Sequence, residues 1–290
     1  MKQIRFILLA LVSSVVVGCG TSSTVPITGR TQRLLISDAE INAMALQQYQ
    51  QTISNAKLST NAANTAMVKR VGQNLANAVV SYLQQNGLGS EVSNYAWEFN
   101  LVQDQQVNAW CMPGGKIVVY EGLLPVTQNE ASLAVVLGHE IAHAVAKHSA
   151  EQLSNAYKDQ YGTQLLGAVL QGAGVGEGTT QLIALGKQLG GQLWTSGFSR
   201  KQESEADHMG LIFAAMAGYD PQVAVSFWQR MASQGTGSSS IFSDHPSDET
   251  RIKNIQTWMP EALKYYKAGS SNKAGSSKNP IKTSKTLRMK

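Results

Sequence analysis

Only two cysteines, Cys19 and Cys111, occur in the 290 residues. Cross-links therefore cannot carry the fold, and its stability must come from a packed core. With 43% hydrophobic residues, one substantial domain is within surface-to-volume limits. Apart from the N-terminal run, long apolar stretches are missing. None reaches the roughly 18 residues that a membrane-spanning helix needs. No repeat array marks a docking scaffold, and nothing resembles a nucleic-acid module. Acidic residues are absent from both ends of the chain: Lys2 and Arg5 precede the first apolar run, and Lys273, Lys278, Lys282, Lys285, Arg288 and Lys290 close the sequence. The formal charge of +5 therefore belongs to the termini, and the body between them is slightly acidic.

What is present is concentrated in residues 139–143, which read His-Glu-Ile-Ala-His. On a helix, positions four apart lie on one face about one turn from each other. His139 and His143 can then hold one zinc ion through neutral imidazole nitrogens, with Glu140 at the open side. A helix is expected here. Thr127 and Glu130 have capping-box spacing, and Leu133, Val136, Leu137, Ile141, Ala144 and Val145 recur at the spacing that buries one side. A longer motif through His148 would need Gly at 146 and His at 149, where the chain has Ala146 and Ser149. His148 is therefore expected to be structural or at the surface.

Such a site needs a third protein ligand and keeps the fourth position for water. The run from Ser199 to Gly210 offers Glu203 and Asp207 four apart on one helical face, whereas Glu205 lies about 200° round the helix from Glu203. Glu203 can supply the third ligand while Asp207 accepts the other ring N–H of a histidine ligand. Glu205 is the weaker candidate.

The combination of His139-Glu140-Ile-Ala-His143, Glu203-Ser-Glu-Ala-Asp207 and His245-Pro246 followed by Arg251-Ile252 resembles the gluzincin metallopeptidases. Within these it is similar to the family that contains the CAAX prenyl proteases, the mitochondrial overlapping-activity peptidase and bacterial periplasmic or lipoprotein members. The segment Asn108–Leu124 resembles that family's strand pair before the active helix, and the likeness extends from about residue 36 to 260. Trp110 and Cys111 stand where the family often has Phe and Ala. The resemblance implies a zincin fold, Glu203 as ligand and Asp207 as its supporting aspartate. An oxyanion needs a donor, for which His245 is the best remaining candidate, and the resemblance implies the alternative that it swings onto zinc as a reversible fourth ligand.

The run Phe6–Val17 after Lys2 and Arg5 suits a signal-peptide core, and Val16-Val17-Gly18-Cys19 resembles a bacterial lipobox. Cleavage before Cys19 and acylation of that residue would tie the protein to a membrane. Gly20 after the cysteine favours the outer membrane by resemblance to enterobacterial lipoproteins. Cys111 would then be the remaining thiol, read as a small buried hydrophobe rather than a redox switch.

The expected organisation is a signal peptide over 1–18, a lipidated linker over 19–35, a zinc metallopeptidase domain over 36–266 and a basic disordered tail over 267–290. A Ser37–Glu40 capping box opens a first helix, and Met67, Val71, Leu75, Ala78 and Tyr82 mark a second ending near Gly87. Trp97–Val102 and Lys116–Tyr120 read as strands, with Pro113-Gly114-Gly115 as a turn. Residues 161–197 read as a helical hairpin or a flap beside the cleft. Asp220-Pro221 opens another helix, 235–240 is a loop, and Pro246 starts a last helix bearing Arg251. The fold class is α+β, predominantly helical, with a small antiparallel sheet beside the active helix.

The implied chemistry is peptide hydrolysis. Zinc held by His139, His143 and Glu203 would activate water, and Glu140 would act as general base. Asn108, Ala109 and Trp110 would pair with an extended substrate backbone, which implies unfolded or misassembled envelope proteins as substrates. The alternative is a chaperone-like assembly or quality-control factor for outer-membrane proteins that cleaves rarely, with an assembly-machinery partner.

Overall fold

The computed structural model describes residues 20–170, 176–189, 197–233 and 249–275. Cys19, His245 and the 235–240 loop lie outside these. The chain begins with a hairpin, β1 (Thr21–Thr24) and β2 (Thr31–Leu34), paired antiparallel with Thr21 opposite Leu34. This corrects the expected linker. The β-branched run favours extended backbone, and the connecting turn closes through Val25 N–H to Arg30 O at 2.8 Å, with Gly29 at φ 69°. The hairpin is fastened to the body. Ile27 N–H donates to Tyr82 Oη at 3.1 Å, Gln32 Nε2 to Ala146 O at 2.8 Å, and Leu35 N–H to Ser154 Oγ at 2.9 Å.

Two helices follow, α1 (Asp38–Asn55) and α2 (Ala62–Gln85). The first has the expected Ser37–Glu40 capping box. The second buries Val68, Val71, Leu75, Val79 and Leu83 against the core.

The sheet has three strands, β3 (Glu98–Val102), β4 (Ala109–Met112) and β5 (Lys116–Tyr120), in the order β3-β5-β4. It is mixed rather than antiparallel. β4 and β5 form a hairpin through Gly114 and Gly115, at φ 81° and 80°, while β3 pairs parallel to β5. The chain between β3 and β4 crosses to the outer side, so β5 takes the centre and β4 becomes an edge. That edge strand lies beside the next long helix.

A short helix α3 (Leu124–Thr127) ends where Gln128 turns to φ 64°. The long helix α4 (Glu130–Val145) is then capped by Asn129, whose side chain accepts from Ser132 N–H at 2.8 Å. Thr127 is not the cap, because it closes α3 by bonding Leu124 O. Every residue of α4 from Ser132 to Val145 is buried, so this helix is surrounded by protein on all sides.

The C-terminal half of α5 (His148–Leu170) and all of α6 (Gly176–Leu189) fall within residues 161–197, where a helical hairpin or flap was expected. Leu153 of α5 and Leu182 and Leu185 of α6 pack with Leu34, Ile36 and Ile41 in a second cluster under the N-terminal hairpin. Among the described residues, no helix is long and apolar enough to cross a membrane.

α7 (Arg200–Met216) starts from a Ser199–Gln202 capping box and is followed by α8 (Val223–Ser233) and α9 (Glu249–Gly275). α9 continues past residue 266, where a disordered tail was expected. Extending an existing helix costs far less than nucleating one.

α7 crosses α4 at a glycine pair. A Cβ on Gly210 would meet His139 N at 2.6 Å, and one on Gly138 would meet Gly210 O at 2.7 Å. Two backbones approach this closely only where neither residue carries a side chain.

Candidate metal centre

The close crossing sets the face of α7 that carries Glu203 and Asp207 against the face of α4 that carries His139 and His143. All four residues are buried. His139 Nε2 lies 3.0 Å from His143 Nε2, and the Glu203 carboxylate oxygens lie 3.4 Å from His139 Nε2 and 3.5 Å from His143 Nε2. Bonds of about 2.0–2.2 Å to a tetrahedral ion separate neighbouring ligand atoms by about 3.4 Å. The three side chains thus fit one metal ion, and among the described residues they are the group so arranged.

Each histidine is held from behind. His139 Nδ1 is 2.8 Å from Asp207 Oδ1, which also accepts from Arg251 Nη2 at 2.6 Å. The Arg251 guanidinium lies 3.6 Å above the ring of Trp228. An Nδ1–H donated to Asp207 leaves His139 Nε2 with its lone pair towards the centre. Burial disfavours a charge on His139, yet Asp207 and Glu203 outweigh it and push its pKa up to about 9. An entering cation must therefore displace a proton.

His143 is stacked on Phe198, ring centroids 4.1 Å apart. Its Nδ1 lies 2.8 Å from Nδ1 of His148, whose Nε2 lies 3.0 Å from Glu205 Oε2. Glu205 also accepts from Thr28 Oγ1 at 2.5 Å and Arg30 Nε at 2.8 Å. Burial acts to raise the Glu205 pKa, but His148, Arg30 and Thr28 hold it down at about 2.

Glu140 is buried on α4, near enough to Cys111 of β4 for its charge to act on the thiol. Burial raises the Cys111 thiol pKa, and the Glu140 charge raises it further. The edge strand and the acidic side chain are thereby neighbours. Trp110 points to the other face, where its Nε1 donates to Tyr120 Oη at 3.2 Å. Asn108 accepts from Tyr120 N–H at 3.0 Å through its backbone, which fixes the start of β4.

The model of peptidase family M48 matches residues 62–259, which include His139, His143, Glu203, Asp207 and Arg251 but not the N-terminal hairpin with Thr28 and Arg30. The chain belongs to that family. Among the relatives of this M48 chain, the mitochondrial metalloendopeptidase OMA1 of Schizosaccharomyces pombe is 40% identical over 176 residues, covering 60% of this chain and 50% of its own. Metalloprotease LoiP of Escherichia coli K12 is 30% identical over 264 residues, covering 89% of this chain and 97% of its own. The beta-barrel assembly-enhancing protease of Escherichia coli O157:H7 is 26% identical over 182 residues, covering 59% of this chain and 37% of its own. The chain spans about half the length of the yeast OMA1 relatives.

Sequence spacing anticipated that His139, His143, Glu203 and Asp207 would meet and that Glu205 would point elsewhere. Three features escaped it. Arg251 was noted in a motif without a role, and it braces Asp207. Trp228 and Phe198 carry no motif, and their contacts depend on helix packing. His148 was expected to be structural or at the surface; it is structural and fully buried, and its contact with His143 depends on the break between α4 and α5, where Lys147 turns to φ 59°, which spacing does not reveal.

Proposed function

We propose that this M48 chain is a zinc-dependent endopeptidase of the bacterial envelope, anchored by lipid at Cys19 and acting on unfolded or misassembled envelope proteins. The observation that carries the catalytic reading is the convergence of His139, His143 and Glu203 on one point; Glu140, next to His139 on α4, is the carboxylate this reading takes as the base. A bound zinc would lower the pKa of its water to near 7 and polarise a peptide carbonyl. Glu140 takes the water's proton and passes it to the leaving amine, a role open to a buried carboxylate that is not itself a ligand. His245 is retained as a donor to the developing oxyanion or as a reversible ligand.

The outer edge of β4, which pairs with no other strand among the described residues, favours substrates that arrive as an extended strand, with Asn108, Ala109 and Trp110 as the pairing segment. Lys2, Arg5, the apolar run to Val17 and the Val16–Cys19 sequence support envelope targeting and acylation. The nearly full-length likeness to LoiP supports a bacterial metalloprotease of this size.

Glu140→Gln tests the reading. The variant is expected to keep fold and zinc while losing cleavage of an unfolded protein such as casein. Substantial proteolysis by the zinc-loaded variant would refute the base assignment. The name of the assembly-enhancing relative favours a second reading, an assembly factor that cleaves rarely. Envelope phenotypes that survive Glu140→Gln would support it.

A further inference from the structure

The support of His139 by a carboxylate follows a common pattern, but His143 is supported in a different way. Its Nδ1 faces another imidazole, and that imidazole faces a carboxylate anchored by the N-terminal hairpin. The hydrogen atoms in this chain of contacts can be placed in one consistent order. Both Glu205 oxygens accept from hairpin donors, Oε1 from Thr28 Oγ1 and Oε2 from Arg30 Nε, so the carboxylate faces His148 as an acceptor and His148 presents its hydrogen on Nε2. In the neutral ring with its hydrogen on Nε2, His148 Nδ1 is a lone pair. It can only accept, so His143 must donate from Nδ1, and His143 Nε2 is left bare towards the metal position.

We infer that His148, Glu205 and Arg30 are positioning residues that fix the tautomer and ring direction of His143, so that the N-terminal hairpin is part of the metal centre's support. This rests on the metal-site reading above and adds residues to it. The geometry is closed at each step. Arg30 also pairs with Glu151 of α5 at 2.6 Å, and Gln202 of α7 donates to Glu151 at 2.8 Å, so the guanidinium is fixed from two sides. His148 is 0% exposed and Glu205 7%, so water does not readily replace either partner. The hairpin spans residues 21–34 and reaches His143 through side chains alone.

Four full-length proteins decide the matter: wild type, His148→Ala, His148→Asn and Arg30→Ala. Zinc affinity is measured by chelator competition at fixed pH, and the His143 tautomer by long-range nitrogen–proton NMR of the zinc-loaded protein. The amide oxygen of Asn can accept where Nδ1 does, so His148→Asn is the conservative replacement. His148→Ala is expected to weaken zinc binding by about 10- to 100-fold, the range for lost support of a ligand. His148→Asn should recover part of that loss and keep the Nδ1–H signal of His143. Arg30→Ala should weaken zinc binding less than His148→Ala does. Wild-type affinity in His148→Ala would overturn the inference, and so would equal losses in His148→Ala and His148→Asn, which would mean that only packing matters. Failure of the wild type to bind zinc would instead overturn the metal-site reading itself.

Discussion

Adding one methyl group at Gly210 tests whether the helix crossing sets the metal geometry. Glu203, Asp207 and Gly210 lie on one face of α7. A Cβ at Gly210 would sit 2.6 Å from His139 N and 2.7 Å from Gly138 C. Both are backbone atoms, so no side chain can swing away. Ordinary contact begins at 3.4 Å, and α7 must retreat from α4 by about 0.8 Å, several times the roughly 0.2 Å tolerance of metal–ligand distances. Overpacking costs about 1–3 kcal/mol, and the better helix propensity of Ala offsets about 1 kcal/mol. The net destabilisation of Gly210→Ala is therefore modest, about 0–2 kcal/mol, while zinc affinity should fall by about 10- to 100-fold. Gly72→Ala is the control, because its Cβ would meet the Phe99 ring at 2.2 Å, away from the site. It should lower the melting temperature and leave zinc affinity alone. Thermal unfolding and chelator competition on both variants separate the effects. Gly210→Ala with wild-type zinc affinity, or Gly72→Ala with an equal loss, would refute the reasoning.

Glu203→Ala should lose zinc at stoichiometric protein concentration, whereas Asp207→Ala should weaken it by about 10- to 100-fold; metal analysis of the purified variants checks the order. Because the metal-free His139 has a pKa of about 9, zinc affinity should rise about tenfold per pH unit below that value and level off above it. The same shift makes a His139 contribution to metal-free stability that is complete below about 6.5 and lost as the pH rises through 9, readable by unfolding with a chelator present. Cys19→Ser should move the protein from the membrane fraction to the soluble one; persistence in washed membranes would point to another anchor.

The active helix, its two histidines and the acidic pair were legible because helical periodicity converts spacing into direction. The first two helices and the strands of the sheet were legible for similar reasons, since Ser37, Gly87 and Gly114 punctuate them locally. Strand order was not, because nothing in β3, β4 or β5 states which of them is central. The Asn129 cap was hidden by the α3 turn, since Thr127 and Glu130 have the right spacing but belong to different helices. Arg251, Trp228 and Arg30 come from elements far apart in sequence, and their roles exist only once α8, α9 and the hairpin have packed.

If Cys19 carries lipid as proposed, the docked hairpin also sets how far the body can stray from the membrane. A free linker over residues 19–35 could stretch about 55–60 Å at full extension, enough for the catalytic body to range well away from a lipid surface. With β1 beginning at Thr21, an acylated Cys19 leaves two peptide steps, a reach of about 7 Å. The body would then sit close against the bilayer, its height and tilt restricted. A polypeptide emerging beside it would be met near the membrane plane, and one deep in the aqueous space would be out of range.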